Sequence, residues 1–534
     1  MNTLRSLARY CGLAVATAAA ALATALALTG SPWWWVLAVP VLGLTALGVW
    51  DVLQRQHAIL RNYPLLGHAR FMMESIRPEL QQYFVERNFD GRPFDRDVRD
   101  VVYQRAKGAE AKQAFGTERD VYAVGHEFLT SSMAPRPMPE HPPAVRVGGP
   151  ACTQPYAMAL LNVSAMSFGA LSAHAVLALN KGAAMGRFAH DTGEGGISEY
   201  HLRHSGDLIW QIGTGYFGCR TPGGTFDPDA FAAMAAHPNV KCVLLKLSQG
   251  AKPGIGGVLP GAKVDAEIAG IRGVPQGRTV VSPPHHRVFS TPRELIRFVA
   301  RMRDLAGGKP VGFKLCVGDR VQVLAVCKAM LAEGVTPDFI VIDGAEGGTG
   351  AAPLEFADQV GMPLTEGLMT VHNALVGTGL RDRIRIGASG KIATGADIVK
   401  RLAQGADFTN AARSMMFAIG CIQAQACHTN ACPVGVATQD PRRARALDVA
   451  DKSERVRRYQ QATVRSAQQI IASMGLDDPS QLHPRMVRRR VSVDGAIRSY
   501  AELHEWLEDK QLLNGPPSSW QADWAAADPD RFNP

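Results

Sequence analysis

The sequence predicts an α/β fold, a (β/α)8 TIM barrel preceded by an N-terminal transmembrane helical hairpin. Three observations predict it. From about residue 155, eight short apolar runs alternate with helical stretches, the pattern of parallel strands joined through helices. The unusual glycine-rich and polar segments follow directly on those runs, where the loops at the C-terminal ends of barrel strands fall. Two long uncharged runs stand ahead of all of this.

Composition bounds the reading. The chain has 534 residues, 46% hydrophobic and 20% charged, which excludes disordered and collagen-like classes. Glycine, at 53 residues, exceeds the usual ~7% and points to tight turns or phosphate-cradling loops. Lys and Arg outnumber Asp and Glu by 57 to 48, for a net charge of +9, and much of the excess lies between Arg455 and Arg498. No aromatic-interleaved basic motif accompanies it, so a solvated helix face beside a membrane or acidic partner is expected and no nucleic-acid partner. Of nine cysteines, Cys11, Cys152, Cys219, Cys242, Cys316 and Cys327 are scattered. A chain this long needs no disulfide framework.

The N-terminal element comes first. Cys11–Thr29 carries no charge and is rich in Ala and Leu; Gly30-Ser31-Pro32 breaks it; Trp33–Trp50 is again uncharged. Each run approaches the ~20 residues that span hydrocarbon. The first alone reads equally well as a cleaved signal peptide, but an immediate second span favours a hairpin. Trp33, Trp34, Trp35 and Trp50 suit an interfacial belt. Arg5 and Arg9 before the hairpin, with Arg55 and Arg61 after it, place both ends in the cytoplasm. The expected location is the cell inner membrane, with the catalytic domain cytoplasmic. The expected domains are the hairpin over 1–50, a helical and extended lead-in over 51–150, the barrel over 151–475 and a C-terminal helical extension over 476–534.

The expected strands are Met158–Val163, Arg187–His190, Leu208–Ile212, Lys241–Leu247, Val311–Cys316, Asp338–Ile342, Ile384–Gly387 and Ala406–Asn410, with amphipathic stretches such as Pro292–Ala306 and Val321–Glu333 between. A closed barrel is preferred to an open doubly wound sheet because no GxGxxG follows the first strand.

Three consecutive strands are followed by glycine-rich or small-residue loops: Asp343–Gly350 with Gly347, Gly348 and Gly350; Gly387–Lys391 with Ser389, Gly390 and Lys391; and Asn410–Arg413 with Ala412 and Arg413. One such loop can be a simple turn. Three together point to a phosphorylated cofactor held by backbone N–H groups. Cys421-x5-Cys427-x4-Cys432 bunches three thiols; these are either buried free thiols or ligands of one centre, and three without a fourth suit a three-iron cluster. A cluster beside a phosphate-binding barrel implies electron transfer, with flavin mononucleotide (FMN) as the phosphate-bearing partner. Lys314 is either a structural ion-pair partner or an ammonium that stabilises negative charge on a reduced flavin ring. Gln211 is placed to bond the ring edge. Glu194 lies in a TGEGG turn, and Lys252 with Arg272 would fork an anionic substrate such as a dicarboxylate. His285-His286 is set aside as a metal pair, because adjacent loop side chains seldom converge.

At these residues the chain resembles the FMN-binding synthase domain of the glutamate synthase large subunit. The matching segments are Met166–Ser172, TGEGG at 192–196, QGAKPG at 249–254, LPG at 259–261, SPPHH at 282–286, GGTGA at 347–351 and CHTNACPVGVATQ at 427–439. The resemblance implies a barrel with FMN and a [3Fe–4S] cluster, an oxidoreductase acting on CH–NH2 groups, and reduction of 2-iminoglutarate, from 2-oxoglutarate and ammonia, to glutamate. It assigns Met166, Ser167, Gln211, Lys314, the glycine loops and Arg413 to FMN, and Cys421, Cys427 and Cys432 to the cluster. Lys252 and Arg272 would hold the dicarboxylate, with Glu194 near the imine.

The chain departs from the family where QGAKPG continues as Ile255-Gly256-Gly257-Val258 instead of Glu-Gly-Gly-Gln. Two polar groups are lost near the expected pocket, so another amino or N-substituted amino acid is the alternative substrate. No glutaminase domain, β-helix domain or nicotinamide fingerprint is recognised. Free ammonia or a partner is then expected to supply nitrogen, and ferredoxin or a reductase subunit to supply electrons. A non-catalytic electron-transfer subunit of a membrane complex is the rival of a different class, and the oligomeric state is left open.

Overall fold

The computed structural model describes residues 9–533, in two compact units that meet in the sequence between Gly91 and Arg92. In the first, helices Cys11–Thr29 and Trp35–Leu53 pack on each other across the Gly30-Ser31-Pro32 break. Ser31 Oγ accepts the Trp33 N–H and opens the turn Pro32–Trp34. A Cβ on Gly48 would lie 2.7 Å from Leu13 Cδ1, so the two helices are in close contact there. Cys11–Thr29 and Pro32–Leu53 are long and apolar enough to cross a membrane. The rings of Trp33 and Trp50 are exposed. Asp51, buried at the end of the second helix, is satisfied by the Leu65 N–H and by His68 Nε2 at 2.9 Å. Arg5, one of the flanking cations, lies outside the described residues.

The second unit holds the barrel: β1 (Leu161–Val163), β2 (His190–Asp191), β3 (Leu208–Ile212), β4 (Val240–Lys246), β5 (Val311–Leu315), β6 (Phe339–Asp343), β7 (Arg385–Ser389) and β8 (Phe408–Ala411). They close in sequence order, every pair parallel, with β8 returning to β1. Each overlaps an expected strand. The first expected strand is divided: Tyr156–Ala159 pairs antiparallel with Ala144–Val147, and only Leu161–Val163 joins the barrel. The hairpin so formed sends Val147 and Met158 into the floor of the barrel, against Ala189, Ile209, Cys242, Phe339 and Phe408. An apolar run long enough for two short strands reads as one, because alternation does not show where a chain turns.

Helices Ala173–Gly186, Pro292–Leu305, Arg320–Glu333, Leu364–Gly377 and Gly395–Ala403 follow β1, β4, β5, β6 and β7 and pack on the barrel exterior. Four begin at a side-chain cap: Ser172, Thr291, Asp319 and Thr394 each accept a backbone N–H of the first turn. The long helix Val449–Ser473 lies against Ala173–Gly186, Gly395–Ala403 and the upstream helix Arg96–Lys107. The stretch 476–534, expected as helical, contains a strand pair as well. Val487–Arg490 is sandwiched between Glu127–Leu129 and Ile497–Ser499, with Val487 buried and the three arginines that follow it half-buried or exposed.

Along each barrel strand the inward positions change character. Apolar side chains fill the floor and middle. At the C-terminal end the inward residue becomes polar on every strand or just beyond it, and this layer sets the site.

Candidate active site

The polar layer comprises Asn162, Asp191, Gln211, Lys246, Lys314, Asp343, Ser389 and Asn410, one from each strand. Parallel register places Lys246 beside Lys314, Asp343 beside Ser389, Ser389 beside Asn410, and Asn410 beside Asn162. All but Asp343 are buried. Barrel closure thus gathers groups spread over some half of the chain into one ring.

Above the ring opens a cavity of about 750 Å³. Met166, Ser167, Glu194, Gln211 and Lys314 line one part. Gly347, Gly348, Gly350, Ser389, Gly390, Lys391, Ala412 and Arg413 line another, and Cys421, Cys427 and Cys432 a third. Gln211 Oε1 and Asn410 Oδ1 are buried acceptors with no hydrogen-bond partner among the described residues. Buried polar atoms normally find partners, and both of these residues line the cavity.

Glu194 is held by Lys246, whose Nζ donates to Oε1 at 2.6 Å. Burial alone would raise the Glu194 carboxyl, but Lys246, Lys314 and Lys252 outweigh it and hold the group below its ordinary value. A Cβ at Gly213 would lie 2.3 Å from Glu194 Oε2, and one at Gly257 2.4 Å from Oε1, so only glycine allows this carboxylate its place. Gly193 has the same function one residue earlier: its φ is +65°, and a Cβ there would lie 2.5 Å from the Ser167 nitrogen. Asp191 accepts the Gly193 N–H at 2.9 Å, and burial pushes its carboxyl up to about 6 against the pull of Lys314.

Lys252 and Arg272, expected as a substrate fork, do not line the cavity. Arg272 ends the helix Ala266–Arg272 and donates from Nη2 to Ser167 Oγ at 3.3 Å and to Phe168 O at 3.1 Å, with its guanidinium over the Phe217 ring. It secures the turn that carries Ser167; burial lowers it to about 10. Lys252 is buried; burial and the Lys246 charge lower its pKa, and Glu194 opposes them. Arg272 is committed to the Ser167 turn, while Lys252 lies in the field of Lys246 and Glu194. His286, set aside as a metal ligand, contacts Tyr216 Oη through Nδ1 and Lys246 O through Nε2, both at 2.9 Å.

At the phosphate-type loops, Ser389 Oγ and Ser164 Oγ lie 3.3 Å apart and Arg413 Nη2 donates to Glu346 O at 2.7 Å. The cysteine loop is tied to the Ser167 turn: Lys263 Nζ donates to Ala170 O and Ala437 O, and Gln439 Nε2 to Gly169 O and Leu171 O. Among the described residues no three His, Cys, Asp or Glu side chains converge on a single ion. Lys246 was missed in the sequence, although the ending of Val243-Leu244-Leu245-Lys246 repeats that of Val311-Gly312-Phe313-Lys314: a lysine closing an apolar strand.

The family model described as a conserved region in glutamate synthase matches residues 152–477. The glutamate synthase large subunit-like protein YerD of Bacillus subtilis is 38% identical, covering 88% of this chain and 97% of that protein. The archaeal glutamate synthase [NADPH] of Methanocaldococcus jannaschii is 34% identical, covering 61% of each chain, so this chain spans about three-fifths of that relative. Among solved structures, a mutant flavocytochrome b2 with pyruvate bound aligns over 84% of this chain and 97% of its own, at a TM-score of 0.42 and 13% identity. With the matched region spanning all eight barrel strands and most of the residues that line the cavity, the chain belongs to the glutamate synthase family.

Proposed function

We propose that this protein is a glutamate synthase-like oxidoreductase, with FMN along the cavity and a [3Fe–4S] cluster on Cys421, Cys427 and Cys432, that reduces 2-iminoglutarate, formed from 2-oxoglutarate and ammonia, to glutamate. The observation that carries it is the single cavity that joins the polar strand ends to the glycine loops on one side and the three thiols on the other. The unpartnered acceptors Gln211 Oε1 and Asn410 Oδ1 fit the donors FMN offers, its one ring N–H and its ribityl hydroxyls. Three thiols and no fourth in this wall fit a three-cysteine cluster. When bound, FMN supplies hydride chemistry and the cluster supplies one-electron transfer.

The chain's own groups do the rest. Lys314 brings positive charge to the barrel mouth, where charge develops on reduction. Lys246 keeps Glu194 ionised and fixed, leaving Oε2 to accept a hydrogen bond from the substrate nitrogen. Lys252 adds a positive field for a substrate carboxylate. Gly213 and Gly257 set the height of Glu194 over the cavity. The two apolar helices support a membrane anchor, with the catalytic unit in the cytoplasm and a separate electron donor such as ferredoxin or a reductase subunit.

A second reading keeps the cofactors and changes the substrate to another amino or N-substituted amino acid. Val258, next to the glycine that abuts Glu194, is exposed and pairs with the exposed Val281. Turnover with a chemical reductant separates the readings. Glutamate from 2-oxoglutarate and ammonia supports the first. Product only from other oxo acids or methylamine supports the second. A protein with flavin and iron but no turnover on any of them is an electron-transfer subunit.

A further inference from the structure

Residues well upstream of the family's conserved region, which begins at residue 152, reach the cavity. Arg92, Pro93 and Phe94 line it, and the helix Arg96–Lys107 follows. Gln423, in the loop between Cys421 and Cys427, meets this segment with its whole amide. Its Nε2 donates to Arg92 O and Phe94 O, each at 3.1 Å, and its Oε1 accepts the Phe94 N–H at 3.2 Å. Gln423 has φ +58°, a conformation a non-glycine residue adopts only when its surroundings hold it. Tyr103 Oη donates to Cys421 O at 2.7 Å.

The same segment grips the phosphate-type end. The buried Phe94 ring stacks edge-on against Phe417 at 5.4 Å, and the Arg413 guanidinium sits 4.9 Å above the Phe94 ring. Arg413 in turn donates to Glu346 O, and a Cβ at Gly348 would lie 2.7 Å from Arg413 Nε. One residue, Phe94, therefore contacts both the cysteine loop, through Gln423, and the arginine beside the glycine loops. A strap that only covered apolar surface would not need three hydrogen bonds from one side-chain amide to its backbone.

We infer that Arg92–Lys107 is a coupling strap, with Gln423 as its positioning residue, so that binding at the Arg413 subsite orders the cysteine loop. The inference rests on the FMN reading for what fills that subsite. The test is hydrogen exchange by mass spectrometry on the full chain, stripped of FMN and then given FMN, together with the FMN dissociation constant from fluorescence quenching. In the wild type, FMN protects 92–107 and 421–432 together with the glycine loops. In Gln423→Ala, protection is confined to the glycine loops, and the dissociation constant rises about tenfold, the scale of one or two hydrogen bonds. Tyr103→Phe, which removes one hydrogen bond and no packing, gives the same loss of protection at 421–432 if Gln423→Ala does not fold. If the wild type takes up no FMN, the flavin reading fails. If it binds FMN while 421–432 is unaffected, or both variants keep the shared protection and affinity, the strap is overturned and the flavin reading stands.

Discussion

Lys246 Nζ lies 2.6 Å from Glu194 Oε1, and the two side chains are only 6% and 17% exposed. The pair joins the end of β4 to the turn after β2. It converts a carboxylate that burial would neutralise into an ionised group fixed at the cavity wall.

Lys246→Met takes from that buried carboxylate its hydrogen-bonded counter-charge and leaves only the fields of Lys314 and Lys252. The expected destabilisation is about 3–5 kcal/mol by chemical denaturation, with much of it recovered by adding Glu194→Gln, which removes the stranded charge.

Gly257→Ala puts a methyl group into the space of Glu194 Oε1, 2.4 Å away. The carboxylate must leave Lys246. Turnover is expected to fall on the order of 100-fold while the flavin absorption spectrum is unchanged, since displacement by an ångström is enough to spoil alignment.

Asp191 contributes a pH dependence of its own. Its folded-state value of about 6 exceeds the ordinary 3.8, so the folded chain holds this proton more tightly than the unfolded chain. Its contribution to stability is complete below the ordinary value and is lost as pH rises through the folded value. The loss comes to about 3 kcal/mol. The difference in urea stability between wild type and Asp191→Asn, followed from about pH 4 to about pH 7, should show this decline, separated from the opposite contribution of buried histidines such as His190 and His286.

Lys314→Met takes a positive charge from the barrel mouth. The reduced, anionic ring should be less stable and the two-electron midpoint potential lower by about 30–60 mV in an anaerobic dye titration. A potential that does not move makes Lys314 a structural residue only.

Cys427→Ser should yield protein without iron and with FMN still bound, as read by metal analysis and flavin release. Full iron retention would remove Cys427 from the ligand set.

Much of the barrel was legible because its signals are local. The apolar run before Lys314, the glycines after β6 and β7, and the small residues after β8 each declare a strand or turn within a few residues. The cysteine cluster is equally local. The split of Met158–Val163 was not legible, since nothing inside the run distinguishes a floor hairpin from a barrel strand. Nor was the strap: Phe94 and Gln423 sit in unremarkable sequence, and neither has meaning until the other is beside it.

The chain order of the strands, their polar C-terminal ends and the loops that follow were determined by sequence alone, through alternation and turn chemistry that act between near neighbours. The partners were decided only by the tertiary structure. Glu194 finds Lys246 across 52 residues, Ser167 finds Arg272 across 105, and Arg92 meets Gln423 across 331. Several cations in the chain could neutralise a given carboxylate equally well. Which one does so is set by the closure of the barrel, because register and strand order fix the few ångströms over which a hydrogen bond can form.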